Sequence, residues 1–176
     1  MEIEKTNIND CIIIKPKFYN DQRGFFLETF QKERYLNKVN INIEFVQDNF
    51  SSSSKNVLRG LHFQKEKPQG KLIYVVKGSI FDVVVDIRKD SSTYMNWIGV
   101  ELSIENGHQV WVPPGLAHGF VVKEDASIIY KCTDYYNPGD EYTLMWNDPD
   151  LNIDWNIDNP ILSEKDTKGL KFCELP

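Results

Sequence analysis

Two histidines sit in stretches suited to aiming a side chain. His118 closes the run Gly107-His-Gln-Val-Trp-Val-Pro113-Pro-Gly115-Leu-Ala-His118, in which a glycine bend, a strand and a Pro-Pro-Gly bend precede the imidazole. His62 lies in Gly60-Leu-His62-Phe-Gln64. Imidazole changes charge near neutral pH, so such a residue can move a proton or ligate a metal. A catalytic metal usually takes three protein ligands. Gln64 stands where a His-x-His pair would place a second imidazole, and no Glu follows at ligand spacing, so no resident metal is expected. Taken singly, either histidine reads as a hydrogen-bonded pocket or core residue. By pattern alone Lys71 reads as a surface lysine on a strand, Tyr130 as a core tyrosine, and Glu164-Lys165-Asp166 as a solvated charge cluster near a helix start. The chain has no Gly-x-Gly-x-x-Gly, no phosphate-binding Gly-x-x-x-x-Gly-Lys-Ser/Thr and no Gly-x-Ser-x-Gly elbow. Any catalysis therefore falls to side chains converging inside the fold.

Strands must do the positioning. Residues 71–77 (KLIYVVK), 79–87 (SIFDVVVDI), 96–104 (NWIGVELSI), 109–112 (QVWV) and 127–133 (SIIYKCT) are rich in β-branched and aromatic residues. Residues 25–30 and 43–50 read as further strands. Lys77-Gly78 separates two runs, and Asn106-Gly107 is a hairpin signal. A short helix is expected over 31–39 and another turn or two over 163–169. Many short strands at close spacing predict one all-β domain over 1–176, a sandwich or barrel with a less regular C-terminal tail. In that setting His118 enters a strand pointing inward.

A chain of 176 residues fits one domain, and 41% hydrophobic residues can build its core. Twenty Lys and Arg against 26 Asp and Glu leave a net charge of −6. That disfavours nucleic acid and anionic membrane surfaces as partners, because both are bound through clustered cations. No apolar run approaches the roughly 20 residues that span a bilayer, and residues 1–10 lack the apolar stretch of a secretory signal. Cys11, Cys132 and Cys173 are odd in number and form no Cys-x-x-Cys pair. A cytoplasmic protein is expected, so the glycosylation sequon at Asn49-Phe50-Ser51 carries no weight.

The run 107–118 fits the second motif of the cupin jelly roll, Gly-x5-Pro-x-Gly-x2-His. Further blocks are Asp21-Gln-Arg-Gly-Phe-Phe-Leu-Glu28, Phe45-Val-Gln-Asp-Asn49, Asn56-Val-Leu-Arg-Gly-Leu-His-Phe-Gln64, Gly70-Lys71-Leu and Phe81-Asp-Val-Val-Val-Asp-Ile-Arg88. Pro114-Gly-Leu-Ala-His-Gly-Phe120, Tyr130-Lys-Cys-Thr, Tyr135-Tyr136 and Leu162-Ser-Glu-Lys-Asp166 complete the set. With these the chain resembles the dTDP-4-dehydrorhamnose 3,5-epimerase family, in order and with natural spacing over nearly its whole length. The resemblance implies a cupin-type jelly-roll β-barrel with a few short helices, a homodimer, no metal or other cofactor, and a nucleotide-linked 4-keto-6-deoxy sugar as substrate.

Inverting a carbon beside a ketone needs a base, a group to hold the enolate oxygen, and an acid across the ring. The resemblance casts His62 as the base, steadied by Asp166, Lys71 as the cation at the C4 oxygen, and Tyr130 as the acid. A carboxylate partner fixes the imidazole tautomer, and a fixed ammonium in a poorly solvated site stabilises developing negative charge. By the same resemblance Arg23, Phe26 and Glu28 lie on an N-terminal segment that crosses to a partner subunit. Gln47, Asp48 and Asn49 would touch nucleotide and sugar, and Arg59 would clamp the pyrophosphate. His118, Tyr136, Glu141 and Lys165 would surround the sugar, and Asp82 would either bond within this layer or fill the barrel. Taken singly, Glu28, Glu141 and Lys165 read as surface salt-bridge residues. Relatives that act on GDP-linked 4-keto heptoses or at C3 alone keep the substrate and the number of inversions open. A non-catalytic sugar-binding cupin would keep the pocket without needing both a base and an opposing acid.

Overall fold

The computed structural model describes residues 1–39, 41–42 and 44–176. Its strands are β1 (Glu2–Lys5), β2 (Ile12–Lys15), β3 (Tyr19–Asp21), β4 (Gly24–Phe26), β5 (Gln47–Ser53), β6 (Leu58–Gln64), β7 (Lys71–Asp86), β8 (Trp97–Ser103), β9 (Gln109–Val112), β10 (Leu116–Cys132) and β11 (Glu141–Thr143). Helix α1 (Lys32–Val39) falls between β4 and β5, and two 3-10 turns, Asp166–Lys168 and Phe172–Glu174, close the chain.

Two long strands organise the rest. β7 and β10 pair antiparallel over nearly their full length, with the register slipping between Val122 and Ile128. β7 bends opposite that slip at Gly78, where φ is +68° and any Cβ would run into the Asp125 carbonyl. Glycine alone meets both conditions here, a left-handed φ and no Cβ to strike that carbonyl. The bend gives each strand two halves and so makes two antiparallel sheets. The first reads β8, late β7, early β10, β6, β11, and the second reads β1, β2, β9, early β7, late β10, β5. This is the expected all-β jelly roll.

Side-chain alternation then sorts the core. Ile73, Val75, Ile80, Val84, Phe120, Val122 and Ile128 fill the space between the sheets. Their neighbours of opposite parity, Val83, Val85, Ala117 and Val121, pack outward under Leu144, Leu151, Trp155 and Phe172 of the C-terminal segment. On the second sheet Leu72 and Trp111 pack outward against Tyr35 of α1.

Several expectations are corrected. Residues 71–77 and 79–87 form one bent strand rather than two. Gly107 does turn the chain, with φ +60° and its N–H on the Ser103 carbonyl at 3.0 Å. No hairpin results, because β8 pairs with late β7 and β9 with early β7. The turn instead carries the chain from one sheet to the other. The strand expected over 43–50 runs Gln47–Ser53, and Ile43 lies outside the described residues. Of 25–30, only Phe25 and Phe26 are in a strand, paired with β3 in a short separate hairpin.

Candidate active site

Alternation brings three chemically capable side chains to one cavity, and a bulge in β6 adds two more. On early β7, Lys71 shares the inward parity of Ile73 and Val75. On late β10, Tyr130 shares that of Ile128. On early β10, His118 shares that of Phe120. β6 needs a further device. Strict alternation would put Arg59 and His62 on opposite faces, yet both line the cavity. The β6–β10 register slips between His118 and Phe120, opposite Gly60. Leu58 and Leu61, three apart, both pack outward, which turns Arg59 and His62 inward together. Gly60 has φ +111°, and a Cβ there would lie 2.6 Å from Gly119 Cα. The bulge requires glycine on both strands. The cavity measures about 390 Å³ and is lined by Arg59, His62, Lys71, His118 and Tyr130, among others. A larger hollow, about 500 Å³ between Lys5 and Pro114, has no histidine among its described lining residues.

His62 stands between two carboxylates. Its Nε2 meets Asp166 Oδ1 at 2.6 Å, and Nδ1 lies 3.9 Å from Glu141 Oε1. An ionised carboxylate only accepts, so the neutral ring carries its proton on Nε2 and presents a lone pair at Nδ1. Asp166 is only 3% exposed. Burial would raise its pKa, but hydrogen bonds from His62 and from Ser163 Oγ (2.7 Å) outweigh it and hold the carboxyl below the usual range. Asp166 is therefore no solvated surface charge. Glu141 follows the same logic. Burial raises it, and the Lys165 ammonium, the Tyr136 hydroxyl (2.8 Å) and the His62 ring together bring it below normal.

Across the cavity, burial pushes the Tyr130 phenol up, so it stays protonated. Burial pushes Lys71 down, partly offset by Cys132, Glu141 and Asp82, and among the described residues no carboxylate lies within ion-pair distance of its ammonium. His118 Nε2 meets Asp82 Oδ2 at 2.8 Å within the buried layer, so Asp82 bonds there rather than merely filling the barrel. The second Asp82 oxygen is buried without a hydrogen-bond partner among the described residues. Gln64 is buried, and its amide is taken up by main chain. It donates to the carbonyls of Lys67 and Tyr135 at 2.8 and 3.2 Å and accepts the Asn137 N–H at 2.8 Å. Where a metal site would need an imidazole, this residue fastens two loops.

The remaining expected residues divide by strand face. Gln47 and Asn49 lie on the half-buried face of β5, joined at 3.0 Å, with Asn49 also donating to Cys132 Sγ. Asp48 points to the other face and pairs with Lys131 at 3.0 Å. Arg59 donates to Ser53 Oγ at 3.0 Å through Nε, and its two terminal nitrogens have no hydrogen-bond partner among the described residues. Arg23, Phe26 and Glu28 are not brought to this cavity within one chain. Arg23 pairs with Asp21 at the hairpin tip, Glu28 with Arg34, and Phe26 lines an apolar groove of about 280 Å³. Sequence reading passed over Ser163, whose Ser-x-x-Asp spacing is a capping pattern, and over the Gly60–Gly119 contact, which no local pattern announces. Ser51 and Phe50 also line the cavity, and Ser51 Oγ is buried without a partner among the described residues.

This geometry meets the comparisons with known proteins. A family model described as dTDP-4-dehydrorhamnose 3,5-epimerase matches residues 5–174. The dTDP-4-dehydrorhamnose 3,5-epimerase of Methanothermobacter thermautotrophicus is 51% identical over 176 residues, covering 98% of this chain and 95% of that one. That of Shigella flexneri is 48% identical over 176 residues, covering 99% and 97%. Among solved structures, the dTDP-6-deoxy-D-glucose-3,5-epimerase RmlC of Legionella pneumophila, in complex with dTDP-4-keto-L-rhamnose, superposes with a TM-score of 0.96 at 48% identity, covering 99% of this chain and 94% of that one.

Proposed function

Because the chain belongs to the dTDP-4-dehydrorhamnose 3,5-epimerase family, we propose that it converts dTDP-4-dehydro-6-deoxy-D-glucose into dTDP-4-dehydro-L-rhamnose, inverting C3 and C5 without a cofactor. The observation that carries this reading is the His62–Asp166 pair, 2.6 Å apart, opening on the cavity that Lys71 and Tyr130 also line. His62 Nδ1 takes the proton from the carbon beside the ketone, and Asp166 supports the imidazolium that forms. Lys71 faces the C4 oxygen, where a cation with no carboxylate partner among the described residues stabilises the enolate. Tyr130 returns a proton to the opposite face. A phenol is a weak acid, but an enolate carbon is a strong base.

Arg59 takes the pyrophosphate, and Gln47 and Asn49 the nucleoside end. His118, Tyr136, Glu141 and Lys165 close around the sugar. Arg23, Phe26 and Glu28 serve the cavity of a second copy. Support for that homodimer is the exposure of Tyr19, Phe25 and Phe26 (55%, 49% and 69%) on a hairpin that is not paired into the main sheets. Such aromatic area is costly to leave in water. A cytoplasmic setting agrees with three free thiols, and among the described residues no helix is long and apolar enough to cross a membrane.

Incubation with the dTDP-linked 4-keto sugar in D₂O, followed by mass spectrometry, tests the reading. Two deuterons per sugar are expected. One deuteron means a single-carbon epimerase, and none from folded protein overturns the proposal.

A further inference from the structure

A two-centre epimerase has to reset itself. Each inversion leaves the base with a proton taken from carbon and the acid without the one it gave. In a gluco-configured 4-keto sugar the C3 and C5 hydrogens project from the same ring face, so one base must act at both carbons. Before the second inversion His62 must lose a proton and Tyr130 regain one, while the sugar still occupies the cavity. The Nε2 side offers no exit, because it faces Asp166, which is 3% exposed and closed off by Ser163.

The other side is open. Glu141 Oε1 stands 3.9 Å from Nδ1, about 0.7 Å beyond the long end of hydrogen-bond range, a gap that a small closure removes. Glu141 Oε2 accepts the Tyr136 hydroxyl at 2.8 Å and pairs with Lys165. Tyr136 is 51% exposed and the Lys165 side chain 45%, against 26% for the His62 side chain. Glu141 thus joins the partly buried ring to water, and it also lies within Coulombic reach of the Tyr130 phenol.

We propose that Glu141 is the proton relay that resets the His62–Tyr130 pair between the two inversions. The Nδ1–H bond breaks, the proton crosses Glu141 Oε1 only transiently, because Lys165 and Tyr136 keep that carboxyl acidic, and it passes to water at the Tyr136–Lys165 rim. The Tyr130 phenolate takes one proton back from that water. One proton leaves and one returns, and nothing is oxidised or reduced. The inference rests on the double inversion proposed above.

The test is a single-turnover reaction in D₂O with dTDP-4-dehydro-6-deoxy-D-glucose, quenched over time and resolved into singly and doubly inverted sugar. Glu141→Gln keeps the size and hydrogen-bonding reach of the side chain but cannot take up the proton. The ratio of singly to doubly inverted sugar at matched conversion is expected to rise about tenfold, whatever the overall rate, because one acid–base transfer is withdrawn from one step only. Glu141→Asp, which can still carry a proton, should bring the ratio back towards that of the unaltered protein. A uniform fall in rate at an unchanged ratio assigns Glu141 to anchoring Lys165 and Tyr136 and overturns the relay. Should Glu141→Gln fail to fold, the exposed Tyr136→Phe decides the matter: a raised ratio supports the relay and an unchanged one overturns it. The parent reading fails separately, when the unaltered protein exchanges neither carbon.

Discussion

His62 owes its chemistry to what holds its far side. The Asp166 contact fixes which nitrogen is the base, and Ser163 fixes Asp166. General acid–base catalysis contributes roughly 10²–10⁴-fold. His62→Ala and Tyr130→Phe are each expected to lower kcat by that order, about 3–5 kcal/mol of barrier. Deuterium wash-in measured over hours, at protein concentrations above the substrate, would detect the residual rate. Unchanged turnover in both variants removes the assignment. Ser163→Ala should cost less, because it loosens Asp166 without removing it. His118 stood out in the sequence through the Pro-Pro-Gly bend before it, and His62 only through its place in the Gly60–Gln64 block, since either histidine taken singly also reads as a core residue. Asp166 did not stand out, because 104 residues separate it from His62 and its neighbours are charged.

At the scale of elements, the β6–β10 crossing matters most. Gly60 combines a positive φ with a backbone neighbour at 2.6 Å, so Gly60→Ala meets both strain and overpacking. The two together cost on the order of 2–5 kcal/mol. At roughly 2–4 °C per kcal/mol for a chain of this size, Tm should fall by about 10 °C. Activity should fall further than stability, because removing the bulge turns Arg59 or His62 out of the cavity. Calorimetry and turnover on the same sample check both, and a fully active, equally stable variant would show that the slip is not set by Gly60. Strand alternation read from sequence did not supply this feature, since a bulge shifts parity by one residue and its local mark is a glycine inside a strand, which fits other roles as well.

At the scale of the whole molecule, Arg23, Phe26 and Glu28 lie away from the cavity they are proposed to serve, and a second copy would bring them to it. In an isologous dimer each site would then draw residues from both chains. Arg23→Ala and His62→Ala, each impaired alone, should complement when subunits are exchanged. Random pairing restores about a quarter of the sites, since each mixed dimer carries one intact and one doubly altered cavity. Turnover of the mixture well above the mean of the two separate variants supports the crossing, and turnover equal to that mean rules it out.

The sequence by itself determined what is local. β-branched runs set the strands, turn residues set most of their ends, and the glycine and proline spacing before His118 aimed one pocket residue. The block pattern from residue 21 to 166 carried the family. Only the tertiary structure decided what depends on contacts far apart in the chain. It fused 71–77 and 79–87 into one bent strand and sent the Asn106-Gly107 turn across the barrel instead of into a hairpin. It also buried Asp166 against His62 and set Glu141 beside Nδ1. Each of these outcomes depends on which strand lies next to which, and local propensity carries no information about that choice.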